Sequence, residues 1–543
     1  MKKPLPIGTD DFKKIREGGM YYIDKTLLIR DVIQNTNEVS LITRPRRFGK
    51  TLNMTMLREF FDISTDSRDI FNGLSIMDTE YGGLINTRPT VFLSFKDCKE
   101  RTKNNLRDSI NNILFMEYDK YFQILKGNVN ESESYYYRFF ALYEKLRNNK
   151  ASFNEIKRSL HLLERVLYDY YKIKPIVLID EYDQPIISSF EYGYFGQLKE
   201  FFSGFYGMAL KGHECLDQAV LTGIQRIVKE SIFSQLNNVS VFTVANERYS
   251  KYFGFDSDEA EKLLSHYGRS LDETVKNKYN GYLFGQTEIY NPWSLLNYAD
   301  SGQLENYWIN TSTNYLVRKS VCEAGEYFKK SFDRLIANGI AKVSVDLECS
   351  FIEIRHNDTL WGLLINSGYV TVVERISNVF MNVRIPNGEV RDEFIKIVAD
   401  RTNVQSQDLQ LMFQCLFYKD MDGFMDVYRE LVVSCTSYFD AKENAYHMLF
   451  LGMCISLNNL YKVTSNIESG YGRSDIRLES FSNDRPHIVI EFKQGEDLEA
   501  LKDEALRQIC ENEYYAGLDG EVLCIGISHD KKRCALAHEI VTI

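Results

Sequence analysis

Residues 41–55 read LITRPRRFGKTLNMT. An apolar strand runs into an arginine-rich turn, closes on Gly49-Lys50-Thr51 and opens a helix, the layout that holds nucleotide phosphates. Backbone amides at a helix N-terminus favour an anion. Lys50 can reach the β- and γ-phosphates and the Thr51 hydroxyl can coordinate Mg2+, with Arg46, Arg47 and Gly49 completing the phosphate-facing turn. The usual pattern begins with a glycine six residues before the lysine, and Arg44 stands there instead. The turn therefore needs another backbone geometry, or Pro45 to hold its shape.

A nucleotide site also needs one carboxylate for the metal and one for the attacking water, both at the end of a buried strand. Residues 175–183, PIVLIDEYD, supply them. Ile176 to Ile179 form a short continuous apolar run, consistent with a strand buried on both faces, and Asp180 and Glu181 follow at its carboxyl end. In the P-loop scheme Asp180 binds Mg2+ through water and Glu181 polarises the nucleophilic water. The bland reading is an acidic loop after a core strand, and Asp183 is either a further support or a turn residue.

The stretch AVLTGI fits a strand ending beside the phosphates. Thr222 then contacts the γ-phosphate or the water, while Arg226 or Lys229 neutralises charge developing on transfer; equally, both cations can sit on a solvated helix face. At the C-terminal end, ESGYGRSD (468–475) leads to Asp475, and the strand HIVIEFKQG (487–495) presents Glu491 and Lys493. Residues two apart on a strand project from the same face. Asp475 and Glu491 can then hold Mg2+, and Lys493 can orient the water or stabilise added negative charge during phosphodiester cleavage. A solvated EFK triplet on an edge strand is the alternative.

Five segments in order, RPRRFGKT, LIDEYD, LTGIQRIVKESIFSQLNN (221–238), YNGYLFG (279–285) and YNPWS (290–294), resemble the bacterial AAA-ATPase-like proteins, whose chains usually end in a PD-(D/E)XK nuclease-like domain. The resemblance covers almost the whole chain. It implies an α/β fold: a P-loop NTPase with a parallel sheet and helices, a helical and mixed middle region, and a small α/β restriction-endonuclease-like domain with an αβββαβ core. It implies that Arg44 is a family variant, that the opening segment at 8–26 packs near the nucleotide, that Glu443 is a further metal-side carboxylate and that Gln508 positions the nuclease site. His447, beside Glu443, reads more readily as a core or helix histidine than as a ligand. The aromatic and glycine-rich YNGYLFG and YNPWS read as turn and packing elements of a helical subdomain rather than as chemistry.

At 543 residues, with 44% hydrophobic and 13% aromatic side chains, the chain is long enough for two or three globular units. Motif positions place borders near 240 and 400, giving a nucleotide domain (1–240), a middle region (241–400) and a nuclease-like domain (401–543). Before the second border, LLINSGYVT (363–371) and VRIPNGEV (383–390) resemble a short β element. About 130 residues separate Lys50 from Asp180, and much of 100–172 reads as amphipathic helix with a Tyr/Phe stripe, such as YYYRFFALYEKL. With a formal charge of −11 the chain as a whole does not look like a polyanion binder, and a nuclease needs only a local basic lining, to which Arg473, Lys493, Lys502 and Arg507 can contribute. Ten cysteines without a C-x-x-C pair argue against zinc and disulfides. Without a signal peptide or a run approaching a membrane span, a cytoplasmic bacterial protein is the natural reading.

The favoured function is an ATPase whose nucleotide cycle regulates a Mg2+-dependent nuclease, with ATP, Mg2+ and nucleic acid, DNA before RNA, as partners. Its alternatives are a nucleotide-dependent switch or scaffold with a non-cleaving C-terminal domain, and an interaction protein with a vestigial P-loop. Oligomerisation and the donor of any arginine finger stay open.

Overall fold

The computed structural model describes residues 2–212, 214–226, 238–308, 339–347, 357–394, 406–434, 460–469 and 472–543, with isolated positions at 317–335 and 450–457. The chain divides into two compact units, Met1–Thr311 with Ser344–Val372, and Ser312–Val343 with Val373–Ile543.

The first unit is built on five parallel strands, β1 (Val39–Thr43), β2 (Thr90–Ser94), β3 (Ile176–Asp180), β4 (Gln218–Gly223) and β5 (Val239–Phe242), in the order β2-β3-β4-β1-β5. All five residues of β1 and of β3 are buried. Continuous apolar runs are what a parallel strand covered on both faces requires. Because β4 lies between β1 and β3, the carboxyl ends of the three strands, Thr43, Thr222 and Asp180, come side by side. Ligands of open α/β sheets bind at such carboxyl ends, where the strand order switches direction. The border expected near 240 falls inside β5, a strand of this same sheet.

Between β2 and β3 stand three helices, α2 (Lys103–Leu125), α3 (Ser134–Arg147) and α4 (Phe153–Tyr171). Their aromatic stripe is internal packing: Tyr118 stacks on Phe139 at 4.9 Å and Phe122 on Tyr143 at 4.0 Å. A Ser152–Glu155 capping box starts α4. Further along the first unit, β6 (Tyr282–Phe284) and β7 (Thr287–Ile289) form a hairpin.

Of the β element expected at 363–371, Leu363 to Asn366 are helical, within Asn357–Asn366, and strand begins only at Thr371. A short apolar run serves either structure. Here Leu360, Trp361, Leu363, Leu364 and Ile365 are all buried, so the helix is enclosed on every side, and Gly368, at φ 84°, closes it with its N–H on Ile365 O. Of VRIPNGEV, only Val383 and Arg384 lie in strand, and residues 340–384 contain a three-stranded sheet, β8 (Ile340–Ser344), β9 (Thr371–Arg375) and β10 (Phe380–Arg384), in the order β8-β10-β9.

The second unit carries a mixed sheet, β11 (Tyr461–Ser469), β12 (Gly472–Ser480), β13 (His487–Gln494), β14 (Glu521–Asp530) and β15 (Arg533–Thr542), in sequential order. All neighbours are antiparallel except β13 and β14, which are parallel and joined through helix α5 (Leu498–Glu511). Strand alternation divides the sheet. Ile476, Leu478, Ile488, Ile490 and Phe492 enter one core with residues of helices Ser406–Tyr418 and Met421–Ser434, while Val489, Val522 and Cys524 pack with Ile509 of α5. A side chain at Gly526 would run into the α5 backbone, 2.4 Å from Lys502 O, so glycine permits the helix to seat on this face.

Candidate nucleotide and nuclease sites

The turn after β1 leads to helix α1 (Lys50–Phe61), whose N-cap, Gly49, has φ 82°. Arg47, at φ 68°, takes a left-handed backbone too. That conformation is costly for any residue with a Cβ. The turn is held from outside by the two aromatic motifs and their surroundings. Phe48 packs edge-on to Tyr282 at 5.0 Å and against Phe284 at 5.1 Å, and the Arg47 guanidinium lies 4.2 Å from the Trp293 ring centre. Trp308 donates its indole N–H to Arg46 O at 3.0 Å, and Gly368 approaches Pro45 too closely to carry a side chain without displacement. YNGYLFG and YNPWS thus form the support of the turn between β1 and α1.

Arg44 is part of that support. It is fully buried, donates to Thr43 O at 2.8 Å and Phe242 O at 2.9 Å, and lies over Phe253 and Phe284 at 5.2 and 5.3 Å. The residue in the place of the usual glycine ties the end of β1 to the end of β5. Burial holds its pKa below the ordinary guanidinium value.

Lys50 is buried, bonded to Arg44 O at 3.2 Å and Pro45 O at 3.1 Å, and ion-paired with Glu181 at 3.3 Å. Thr51 Oγ1 donates to Asp180 Oδ2 at 2.8 Å, and Thr222 Oγ1 donates to Asp180 Oδ1 at 2.8 Å. Burial, then the charge of Glu181, push the Asp180 carboxyl up to about 6. Glu181 has φ 52°, an uncommon backbone for a non-glycine residue and of the strained kind that gathers at functional sites.

Asp183 is an anchor. Its Oδ2 accepts the N–H groups of Ile224 and Gln225 at 2.9 and 2.8 Å, tying the turn after β3 to the segment after β4. Burial and the charge of Glu181 push its carboxyl up to about 7. Arg226 follows Gln225 directly, and Lys229 lies outside the described residues. The opening segment lies along α1: Phe12 N donates to Thr55 Oγ1 at 3.0 Å, Arg58 pairs with Asp11 at 3.3 Å, and Asp10 is among the charges that act on Arg47.

In the second unit, Asp475 on β12 and Glu491 and Lys493 on β13 come together. Asp475 N donates to Glu491 Oε2 at 3.2 Å, Phe492 N donates to Asp475 Oδ2 at 2.8 Å, and Lys493 Nζ lies 3.4 Å from Glu491 Oε1. Gln508 on α5 donates to the same Oε1 at 2.8 Å and to the Tyr514 hydroxyl at 2.9 Å. Tyr514, six residues on and just past the end of α5, thus fixes the glutamine. Glu491 is 3% exposed, and burial, then the Asp475 charge, push its carboxyl up to about 7. Glu443, His447 and the Arg473 side chain lie outside the described residues. Lys502 pairs with Glu499, and Arg507 with Glu511 at 3.9 Å, along α5.

Among the described residues no group of three or more His, Cys, Asp and Glu is arranged to hold a metal. Each site nevertheless brings hard oxygen donors and negative charge together: Asp180 with Thr51 beside Glu181, and Asp475 with Glu491. A carboxylate raised by burial and by a neighbouring acid, as Asp180 and Glu491 are, is stabilised by a divalent cation, and Mg2+ takes one or two carboxylates and completes its shell with water and phosphate. The residues fit that ion at both places.

The strand order, the glycine-lysine-threonine turn after β1 and the acidic end of β3 define a P-loop ATPase fold. Residues 6–233 match the family model of the AAA-ATPase-like proteins, described as a predicted AAA-ATPase. Residues 441–539 match the model of the PD-(D/E)XK nuclease superfamily. The chain therefore carries an AAA-ATPase-like domain followed by a C-terminal PD-(D/E)XK superfamily domain. Among its relatives, an uncharacterized protein in the vnfD 5' region of Azotobacter chroococcum mcd 1 is 26% identical over 446 residues, 80% of this chain and 78% of that one. The structure of the Aeropyrum pernix ORC2 protein, in ADPNP–ADP complexes, is similar at 10% identity over 72% of this chain and 92% of that chain, with a TM-score of 0.23. So loose a superposition carries no weight beside the strand order. Among the described residues no helix is long and apolar enough to cross a membrane.

Proposed function

We propose that the N-terminal domain binds and hydrolyses ATP and that its nucleotide state regulates Mg2+-dependent cleavage of nucleic acid, DNA first, by the C-terminal domain. One observation carries this reading: both domains bring a buried, raised carboxylate against a second acid and a lysine. In the first domain Lys50, Gly49, Arg46 and Arg47 bind phosphate. Thr51 and Asp180 hold Mg2+, Glu181 orients the attacking water, and Thr222 and Arg226 face the γ-phosphate. Lys50 is ion-paired with Glu181 at 3.3 Å, which puts the phosphate-binding lysine and the water-orienting carboxylate in reach of one another. In the second domain Asp475 and Glu491, with Glu443, hold Mg2+; Lys493 orients the water; Gln508 keeps Glu491 in place. Bound Mg2+ supplies charge neutralisation on phosphate oxygens and a more acidic water.

The test is ATP binding and turnover in the full chain. Lys50→Ala should lose binding, whereas Glu181→Gln should keep binding and lose turnover by at least about a hundredfold, the scale of general-base catalysis. Equal turnover in wild type and Glu181→Gln removes that residue from its role.

A further inference from the structure

Ser94 ends β2 and stands in register with Asp180 across the β2–β3 ladder, where Phe95 N also donates to Asp180 O at 2.9 Å. Its Oγ donates to Asp180 Oδ2 at 3.2 Å. The same oxygen accepts from Thr51 at 2.8 Å, and Oδ1 accepts from Thr222 at 2.8 Å. A carboxylate offers about four lone-pair directions, two on each oxygen. Three are taken here by hydroxyls from three different elements: α1, β2 and β4. Oδ2 has both of its directions filled, and the direction left over is on Oδ1.

We propose that Ser94 is a positioning residue for the metal-binding role of Asp180: by filling the second direction on Oδ2 it fixes the plane of the carboxylate and leaves Oδ1 to receive a metal-bound water. This rests on the P-loop reading of the site. Thr51 and Thr222 alone leave one direction open on each oxygen, and the carboxylate then has two competing ways to meet that water. Ser94 removes one of them. Alanine keeps the strand and its ladder but opens the second direction on Oδ2, while threonine keeps the hydroxyl on a side chain that suits a strand.

The experiment is titration of the full chain with ATP, with and without Mg2+, together with thermal unfolding of each variant. Ser94→Ala should bind ATP without Mg2+ within about twofold of wild type but require about three- to tenfold more Mg2+ to reach the metal-enhanced affinity, the scale of one net hydrogen bond. Ser94→Thr should restore the wild-type Mg2+ requirement. Asp180→Asn should abolish the metal enhancement. An unchanged Mg2+ requirement in Ser94→Ala overturns the proposal, as does an equal loss with and without metal accompanied by a lower unfolding midpoint, which marks a purely structural contact. If wild type itself shows no metal-enhanced ATP binding, the P-loop reading falls and takes the proposal with it. If Asp180→Asn removes the enhancement and Ser94→Ala does not touch it, only the proposal falls.

Discussion

Replacing Glu491 by Gln should stabilise the protein at neutral pH even though it removes a residue proposed to be catalytic. Burial and Asp475 raise the Glu491 carboxyl from 4.5 to about 7. An acid that holds its proton more tightly folded than unfolded lowers stability as pH rises between those two values, and the full penalty stands above about 7. A shift of roughly 2.5 units at about 1.4 kcal/mol each gives a penalty of about 3 kcal/mol. Glutamine abolishes it and keeps a carbonyl for Lys493 and Gln508, but sets an amide against Asp475 N–H. That lost bond costs about 1 kcal/mol. The net expectation is a gain of about 2 kcal/mol at pH 7.5, fading to none near pH 5. Denaturant unfolding of wild type and variant across pH 5–8 reads the difference, with the other titrating groups cancelling between them. A variant less stable than wild type at pH 7.5, or a difference that does not change with pH, refutes the argument.

Arg44→Gly, which restores the usual glycine, should not improve nucleotide binding. It empties the space between Phe253 and Phe284 and strips two carbonyls of their donor, costing about 3 kcal/mol or more in denaturant unfolding. Unchanged stability with tighter ATP binding would falsify the anchoring role. Trp308→Phe keeps the ring but loses the donor to Arg46 O, and ATP affinity by titration should fall two- to tenfold, the range of one net hydrogen bond of about 0.5–1.5 kcal/mol; an unchanged affinity removes the indole from the support of the turn. Asp183→Ala leaves the N–H groups of Ile224 and Gln225 without their acceptor, a loss of about 2 kcal/mol, but also removes a buried carboxyl raised to about 7; in denaturant unfolding the variant's deficit should be largest near pH 4.5 and shrink as pH rises towards 7.5, with a deficit independent of pH as the contrary result.

What was legible in the sequence is what local geometry sets. A strand, a turn and a helix N-terminus are contiguous, so Gly49, Lys50 and Thr51 declared themselves, and Glu491 and Lys493 share a face by the two-residue period of a strand. Asp180 at the end of an all-apolar run was legible for the same reason, although its meeting with Thr51 depends on β4 entering between β1 and β3, which no local pattern encodes. Ser94 was invisible because only the β2–β3 register sets it against Asp180. Arg44 read as a gap in a motif; its true setting is two phenylalanines more than two hundred residues further on. The aromatic residues of YNGYLFG and YNPWS read as turn and packing elements, which they are, but what they pack against is the turn between β1 and α1.

The most direct measurement is cleavage of supercoiled plasmid by the full chain in Mg2+, with and without ATP, beside Lys50→Ala and Asp475→Ala. The proposed pair of phosphate-handling sites predicts metal-dependent cutting that ATP changes in wild type, that ATP no longer changes in Lys50→Ala, and that is lost in Asp475→Ala. Cutting that persists undiminished in Asp475→Ala contradicts the account.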